Sequence, residues 1–398
     1  MKPPLMFLCH RIPYPPNKGD KIRSYHLLKH LAEHFSIYLG AFIDDPIDWR
    51  HVPVMEEVCE DTCFIKLDPA SARIKSVTGF LSGKPLTLPY YFNKKLADWI
   101  KKTTAKNPIR KLIIYSSAMA QYAMYSDQPF SNRVIDFVDI DSDKWNQYSE
   151  SKSWPMNWVY KREAELLLKF EKKVASEFDH SFFVSAAEES MFKAMSPDTA
   201  SKVGFYSNGV DTDYFDPSEV TVNPYQESDK ILVFTGAMDY WPNIDAVVWF
   251  SESVLPRLIE IDPRIKFYIV GGNPSEAVVR LADSKNIEVT GRVDDIRPYI
   301  KYAHAAVAPM RIARGIQNKV LEAMAMECPV VTSQQGYEGI TADQQVELFI
   351  ANEVDDWINK ISLAIGYGTK NSMGRSARER VITDYSWHGC LSEIEAYL

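Results

Sequence analysis

Residues 289–333 bring together the side chains whose types and spacing best suit chemistry. A short apolar run ends in Gly291, a helical pattern follows, and then comes the strand-like Ala305-Ala306-Val307-Ala308-Pro309. Arg311, Arg314 and Gly315 precede an amphipathic helix that carries Lys319 and Glu322 one turn apart. A helix N-terminus presents unpaired N–H groups and a partial positive charge, so this arrangement suits a nucleoside diphosphate. Glycine at the mouth lets a ligand approach the backbone. Glu322, farther along the helix, is placed to accept hydrogen bonds from ribose hydroxyls.

Positioning such a site requires parallel sheets, and the whole chain alternates short apolar runs with helical patterns. The first half predicts strands at 5–9, 36–41, 61–66, 111–115, 133–137, 181–184 and 203–207. The second half predicts strands at 231–235, 266–270, 287–289, 305–309, 330–332 and 347–350. A first helix opens near Gly19-Asp20, with Asp20 as its cap, and runs to His34. A long helix covers about 157–178, and Ser185-Ala186-Ala187-Glu188 reads as a capping box. The segment 208–229 lacks a period and reads as an interdomain link. Gly236, Gly271 and Gly291 each close a strand. Ligands of open parallel sheets sit beyond the carboxyl ends of strands, so these glycines line one rim, facing the first domain.

The same residues carry a family likeness. Leu321-Glu322-Ala323-Met324-Ala325 followed by Pro329-Val330-Val331 resembles the donor-binding signature of the retaining glycosyltransferases of family 4. The likeness extends to Ser207-Asn208-Gly209-Val210-Asp211, Phe234-Thr235-Gly236, Ile269-Val270-Gly271-Gly272 and Lys18-Gly19-Asp20-Lys21-Ile22-Arg23. Residues 200–335 carry most of its specificity, and the wording is closest to a subgroup of sugar transferases associated with bacterial exopolysaccharide clusters. The resemblance implies an α/β protein of the GT-B fold, with two Rossmann-like parallel-sheet domains facing a cleft. The acceptor-side domain would be 1–207 with a crossover helix at 385–398, and the nucleotide-sugar domain 208–384. It further implies a retaining transfer of a hexose from a nucleoside-diphosphate sugar, with no metal and no separate cofactor; the Trp, Arg and Asn residues expected at the cleft suit uridine and guanosine donors alike. The acceptor would be a hydroxyl of a saccharide or of a lipid-linked saccharide.

Breaking the bond to a diphosphate builds negative charge on the leaving group, which positive charge and N–H donors stabilise. Lys18, Arg292, Arg311, Arg314 and Lys319 are the candidate cations, with Arg314, Lys319 and Lys18 assigned to catalysis. Gly19 would bring a backbone N–H to the diphosphate from the opposite wall. Asp239 and Asn243 suit sugar hydroxyls, and Trp241 suits stacking on sugar or base, or else ordinary burial. Asn208, Gly236, Gly271, Gly272, Arg292, Val293, Arg311, Gly315, Ile316, Gln317 and Glu322 complete the expected contacts. Two departures from the family pattern stand out. Arg314 occupies the place of a glutamate that usually faces the donor sugar. Ala237-Met238-Asp239-Tyr240 replaces an arginine and lysine that usually serve phosphate.

The remaining features bound the reading. The chain of 398 residues, 46% hydrophobic and 25% charged, fits two ordinary domains. Its net charge of -8 argues against a nucleic-acid binder. No apolar run spans a bilayer, and the proline-rich start reads as a buried strand, which predicts a cytoplasmic protein. Five scattered cysteines predict reduced thiols, with Cys59 and Cys63 on one helix face. Asp139-Ile140-Asp141 mimics a metal motif, but lies on the first domain's rim, where acceptor hydroxyls or Lys144 are its alternatives. His10 follows the first strand without a visible partner. Residues 73–111 hold ten basic side chains against one acid, Asp98, with aromatics interleaved. That composition suits an anionic membrane surface or a solvated helix face. Two other functions remain open: a GT-B sugar-nucleotide epimerase, and a catalytically silent carbohydrate-binding or scaffold protein.

Overall fold

The computed structural model describes residues 2–16, 19–124, 130–150, 152–313, 316–367, 372–392 and 394–398. Among these residues thirteen strands form two all-parallel sheets. The first contains β1 (Pro4–Cys9), β2 (Ser36–Ile43), β3 (Asp61–Lys66), β4 (Lys111–Tyr115), β5 (Asn132–Val138), β6 (His180–Phe183) and β7 (Val203–Phe205). Its order is β3-β2-β1-β4-β5-β6-β7. The second contains β8 (Lys230–Thr235), β9 (Ile265–Val270), β10 (Ile287–Gly291), β11 (Ala305–Ala308), β12 (Val330–Thr332) and β13 (Phe349–Ile350), in the order β10-β9-β8-β11-β12-β13. The central strands are continuous apolar runs because helices cover both faces. Leu5 to Leu8 are wholly buried, as are most residues of β8.

Strand order reverses between β1 and β4 in the first sheet and between β8 and β11 in the second. These are the switch points where open sheets bind ligands. At the first switch point β4 and β5 end in left-handed backbone at Ser116 (φ 80°) and Val138 (φ 73°). A β-branched residue held there is strained, as is common beside binding sites.

Two compact units result, 1–207 with 391–398, and 208–390. Residues 385–390 stay with the second unit because the Val210 N–H donates to the Tyr385 carbonyl at 2.7 Å and Val210 pairs with Ser386. The C-terminal segment is a short helix, Trp387–Leu391, and a 3-10 turn, Ile394–Tyr397. No described helix is long and apolar enough to cross a membrane.

The first unit also holds a helical hairpin, Asp141–Glu150 and Met156–Glu177. Ser185 caps its helix by accepting the Glu188 N–H at 3.2 Å. The Glu188 carboxylate does not bond back; it takes the Ile140 N–H at 2.8 Å.

Three expectations are corrected. Asp20 lies inside the first turn of the helix Gly19–His34 and does not cap it; its carboxylate faces Arg11 and His10. Cys59 follows the helix Val52–Val58 while Cys63 lies in β3, so they share no helix face. His10 does have a partner, with Nε2 3.5 Å from Asp20.

Candidate functional site

The helix Asn318–Ala325 follows β11 and passes the second switch point. Val320, Leu321, Ala323 and Met324 are buried, which leaves Lys319 and Glu322 on the remaining face. Gln317 is its N-cap residue, with extended backbone and no side-chain cap, so its first N–H groups lack that competitor. Arg378 secures the other end by donating to the Ala325 carbonyl at 2.5 Å and to Phe215 at 2.7 Å. A cation at a helix C-terminus also complements the helix dipole. Nothing in the sequence marked Arg378, because its partners are far away along the chain.

Lys319 is held by uncharged groups. Its Nζ donates to Asn243 Oδ1 at 2.5 Å, approaches Met310 Sδ at 3.6 Å and sits 4.5 Å above the Phe234 ring. Burial lowers its pKa to about 8, against a smaller opposing effect of Glu322. Burial raises Glu322 to about 7, with Lys319 a lesser opposing influence. Lys319 and Glu322 form no ion pair within 4 Å, and the Glu322 carboxylate accepts no hydrogen bond from any described residue.

The glycines at the rim are required sterically. A Cβ on Gly271 (φ 158°) would fall 1.7 Å from the Gly236 carbonyl oxygen. One on Gly236 (φ 156°) would meet Asn243 Nδ2 at 2.7 Å. The strand ends are zipped together here. The Gly236 N–H donates to Val270 at 3.1 Å, Gly271 to Gly291 at 3.2 Å, and Met238 to Gly272 at 2.9 Å. Asn243 is buried and donates to the Ala237 carbonyl at 2.9 Å, so it ties the β8 turn to Lys319. The structure thus brings Gly236, Gly271, Asn243 and Lys319 into one contact set.

Other expected residues lie around it. Gly272 faces the Arg292 Cβ at 3.7 Å, and Arg292 is exposed. Val293 and Ile316 are part-buried against the core under the helix. Asp239 is exposed and accepts from Asn273 at 3.2 Å. Trp241 opens the helix Trp241–Ser253 with 56% of its surface exposed, which removes the buried-aromatic alternative. Arg311 is engaged on the surface, donating to both Asp245 oxygens at 2.9 and 2.8 Å. Asn208 is part-buried at the start of this unit. Arg314, Gly315 and Lys18 lie outside the described residues.

One neighbouring group escaped the sequence reading. Arg297 pairs with Asp295 at 2.7 Å and lies 4.1 Å over the Tyr214 ring, and Tyr214 feels the Glu322 charge. The spacing of Asp295 and Arg297 was visible, but their link to Tyr214 spans more than 80 residues.

In the first unit Gly19 begins its helix, and a Cβ there would meet nothing within 4 Å. Asp139 accepts from Lys144 at 2.5 Å and Asp141 from Ser117 at 2.7 Å. Among the described residues no group of three or more His, Cys, Asp or Glu could hold a metal ion. His10 is raised to about 9: burial alone would lower it, and the Asp20 hydrogen bond overcomes that.

Residues 229–366 match the family model described as Glycosyl transferases group 1. No curated protein gives a significant sequence match. Among solved structures, HepE of Anabaena in complex with UDP aligns with a TM-score of 0.64 at 15% identity, covering 100% of this chain and 99% of that one. Sucrose-phosphate synthase of Thermosynechococcus elongatus gives 0.66 at 16%, covering 99% and 98%. WaaG, a glycosyltransferase involved in lipopolysaccharide biosynthesis, gives 0.64 at 13%, covering 99% and 98%. The two Rossmann-like units are therefore the GT-B fold, and the matched domain is an enzyme domain, that of a glycosyltransferase.

Proposed function

We propose that this chain moves a hexose from a nucleoside-diphosphate sugar to a hydroxyl acceptor, with retention of configuration and without a metal. One observation carries the reading. At the switch point of the second sheet a part-buried lysine, with only neutral partners among the described residues, stands one turn from a part-buried carboxylate. Lys319 and the helix N-terminus offer positive charge to the diphosphate, where it counts most as the leaving group separates. Glu322 offers its carboxylate to the ribose, and Gly236 and Gly271 let the backbone come close. Asp239, Asn243 and Trp241 border the sugar. Arg292 is the exposed cation beside Gly272, and Arg314 is a further cation that the sequence offers to the phosphates.

UDP is the nucleotide to try first, since HepE of Anabaena was crystallised with UDP and with UDP-glucose. The acceptor is a lipid-linked saccharide of an exopolysaccharide pathway, met on the cytoplasmic side of an anionic membrane. The test is a thermal-shift panel of UDP, GDP, ADP and their sugars. A ligand at a hundred times its Kd stabilises the native state by about 2.7 kcal/mol. A rise with one nucleotide family that is lost in Glu322→Ala is the expected result. A flat panel, or a shift that survives in Glu322→Ala, refutes the reading.

A further inference from the structure

We infer that the tip of the helical hairpin in the first unit, with the short helices beside it, docks on an anionic lipid bilayer and so presents the rim of the first sheet to a lipid-linked acceptor. The choice of acceptor rests on the function proposed above; the docking is tested separately.

The short helices Pro69–Ser76 and Thr78–Ser82 and the start of Met156–Glu177 expose Ile74, Val77, Leu81, Trp154, Met156 and Trp158. Leu81 is 92% exposed and Trp154 80%, far beyond what folding of this unit asks of an apolar side chain. The surface is built, not loose. Phe80 stacks on Trp158 with centroids 6.1 Å apart and planes 8° apart. Arg162 donates to the Gly79 carbonyl at 3.0 Å and lies 4.7 Å over the Phe80 ring. Buried Glu163 accepts the N–H groups of Leu86 at 2.6 Å and Thr87 at 2.9 Å. These bonds fix the short helices to the hairpin.

Charge decides what covers this surface. Arg73, Lys75, Lys84, Lys152 and Lys161 are all exposed around it, in a chain whose net charge is -8. Tryptophan and leucine ringed by lysine and arginine match the interface of an anionic membrane. The helix Lys94–Lys106 adds charge but not apolar surface, because its Leu96 and Ile100 are buried. The sequence placed the membrane surface at 73–111; the apolar part lies at 74–81 and 154–158.

The hairpin also sets a distance. Ser142 Oγ donates to Glu171 at 2.5 Å beside the rim residue Asp141, while Tyr148 meets Tyr160 farther out, with centroids 6.4 Å apart, so the two helices are antiparallel. Trp158 precedes Glu171 by 171 − 158 = 13 residues, which places it about 20 Å beyond the rim at 1.5 Å per residue. A lipid anchored at the tip leaves that length for its phosphate and saccharide to reach Asp139 and Asp141.

The test is co-sedimentation with vesicles of phosphatidylcholine alone and with about one third phosphatidylglycerol. Wild type should pellet with the anionic vesicles, and the Leu81→Asp/Trp154→Ser variant should bind them about tenfold or more weakly. Ile74→Asp is an independent second probe with the same expected direction. Circular dichroism and the UDP thermal shift on the same samples show that each variant is folded. Wild type that stays in the supernatant, or variants that pellet equally well, overturn the docking. So does a wild-type dimer in light scattering that the double variant dissolves without any vesicle binding. A wild type that pellets but shows no nucleotide shift refutes the transferase reading and leaves the docking standing.

Discussion

Glu322→Gln should change the pH dependence of nucleotide binding in a direction set by Lys319. The wild-type pair is pulled toward neutrality from both sides, with Lys319 near about 8 and Glu322 near about 7, each chiefly by burial. Diphosphate binding wants the ammonium, which is lost as pH rises through the Lys319 value. Ribose binding wants the carboxylate, which is lost as pH falls through the Glu322 value. Affinity should therefore peak between about 7 and about 8 and fall on both sides. The Glu322 charge favours protonated Lys319, so removing it lowers the lysine further. For residues one turn apart, at about 6 Å and an effective dielectric of about 40, Coulomb's law gives about 1.4 kcal/mol, or about one pH unit. The variant should lose the acidic limb, and its alkaline limb should begin about one unit lower. The assay is calorimetric Kd of a UDP-sugar at constant ionic strength across both limbs; the diester diphosphate does not itself titrate there. An alkaline limb that stays fixed or moves upward refutes the coupling. An unchanged Kd at every pH refutes the placement of the ribose.

Two further substitutions probe the scaffold. Gly271→Ala puts a methyl 1.7 Å from the Gly236 carbonyl, and neither backbone can yield alone, so the loss should exceed about 3 kcal/mol in urea unfolding, whereas Gly272→Ala, with 3.7 Å of room, should melt near wild type. Arg23→Met leaves Asp136 buried without its bidentate partner at 2.8 and 3.3 Å and should destabilise the first unit by about 3–5 kcal/mol, measured by chemical denaturation of the full chain.

Most of the fold was legible in the residues. Every predicted strand exists, and β3, β4 and β12 begin and end where the apolar runs do. Parallel strands buried on both faces give that signal directly. The last predicted strand shrinks to Phe349–Ile350 because Glu347 turns back to accept the Asp343 N–H and to meet Arg380. The helices between 69 and 91 gave no periodic signal. They are five to eight residues long; Ile74 and Leu81 point outward, and only isolated positions such as Ala72 and Leu88 are buried. A helical period shows over a window of about 11 residues or more with a repeating buried stripe, and these helices are shorter and bury single positions.

The site was legible only where its logic is local. Lys319 and Glu322 sit three residues apart on a helix with a clear buried face, so their shared orientation followed from spacing. Arg311 looked equally suited to phosphate, but Asp245, 66 residues earlier in the chain, holds its guanidinium in a bidentate pair. No spacing rule announces such a pairing. The contrast with the first unit then gives the sharper argument for where a ligand belongs. There each buried cation is closed by a carboxylate: Arg23 by Asp136 and Lys21 by Asp48 at 2.5 Å. In the second unit Lys319 has only an amide, a thioether and a ring, and Glu322 has no hydrogen-bond donor among the described residues. Desolvated charges without ionic partners weaken a fold, and stability alone would replace them with apolar groups. On the proposed reading, a molecule that brings an anion to one and hydroxyl groups to the other offsets that cost. A nucleoside diphosphate carries both at that separation.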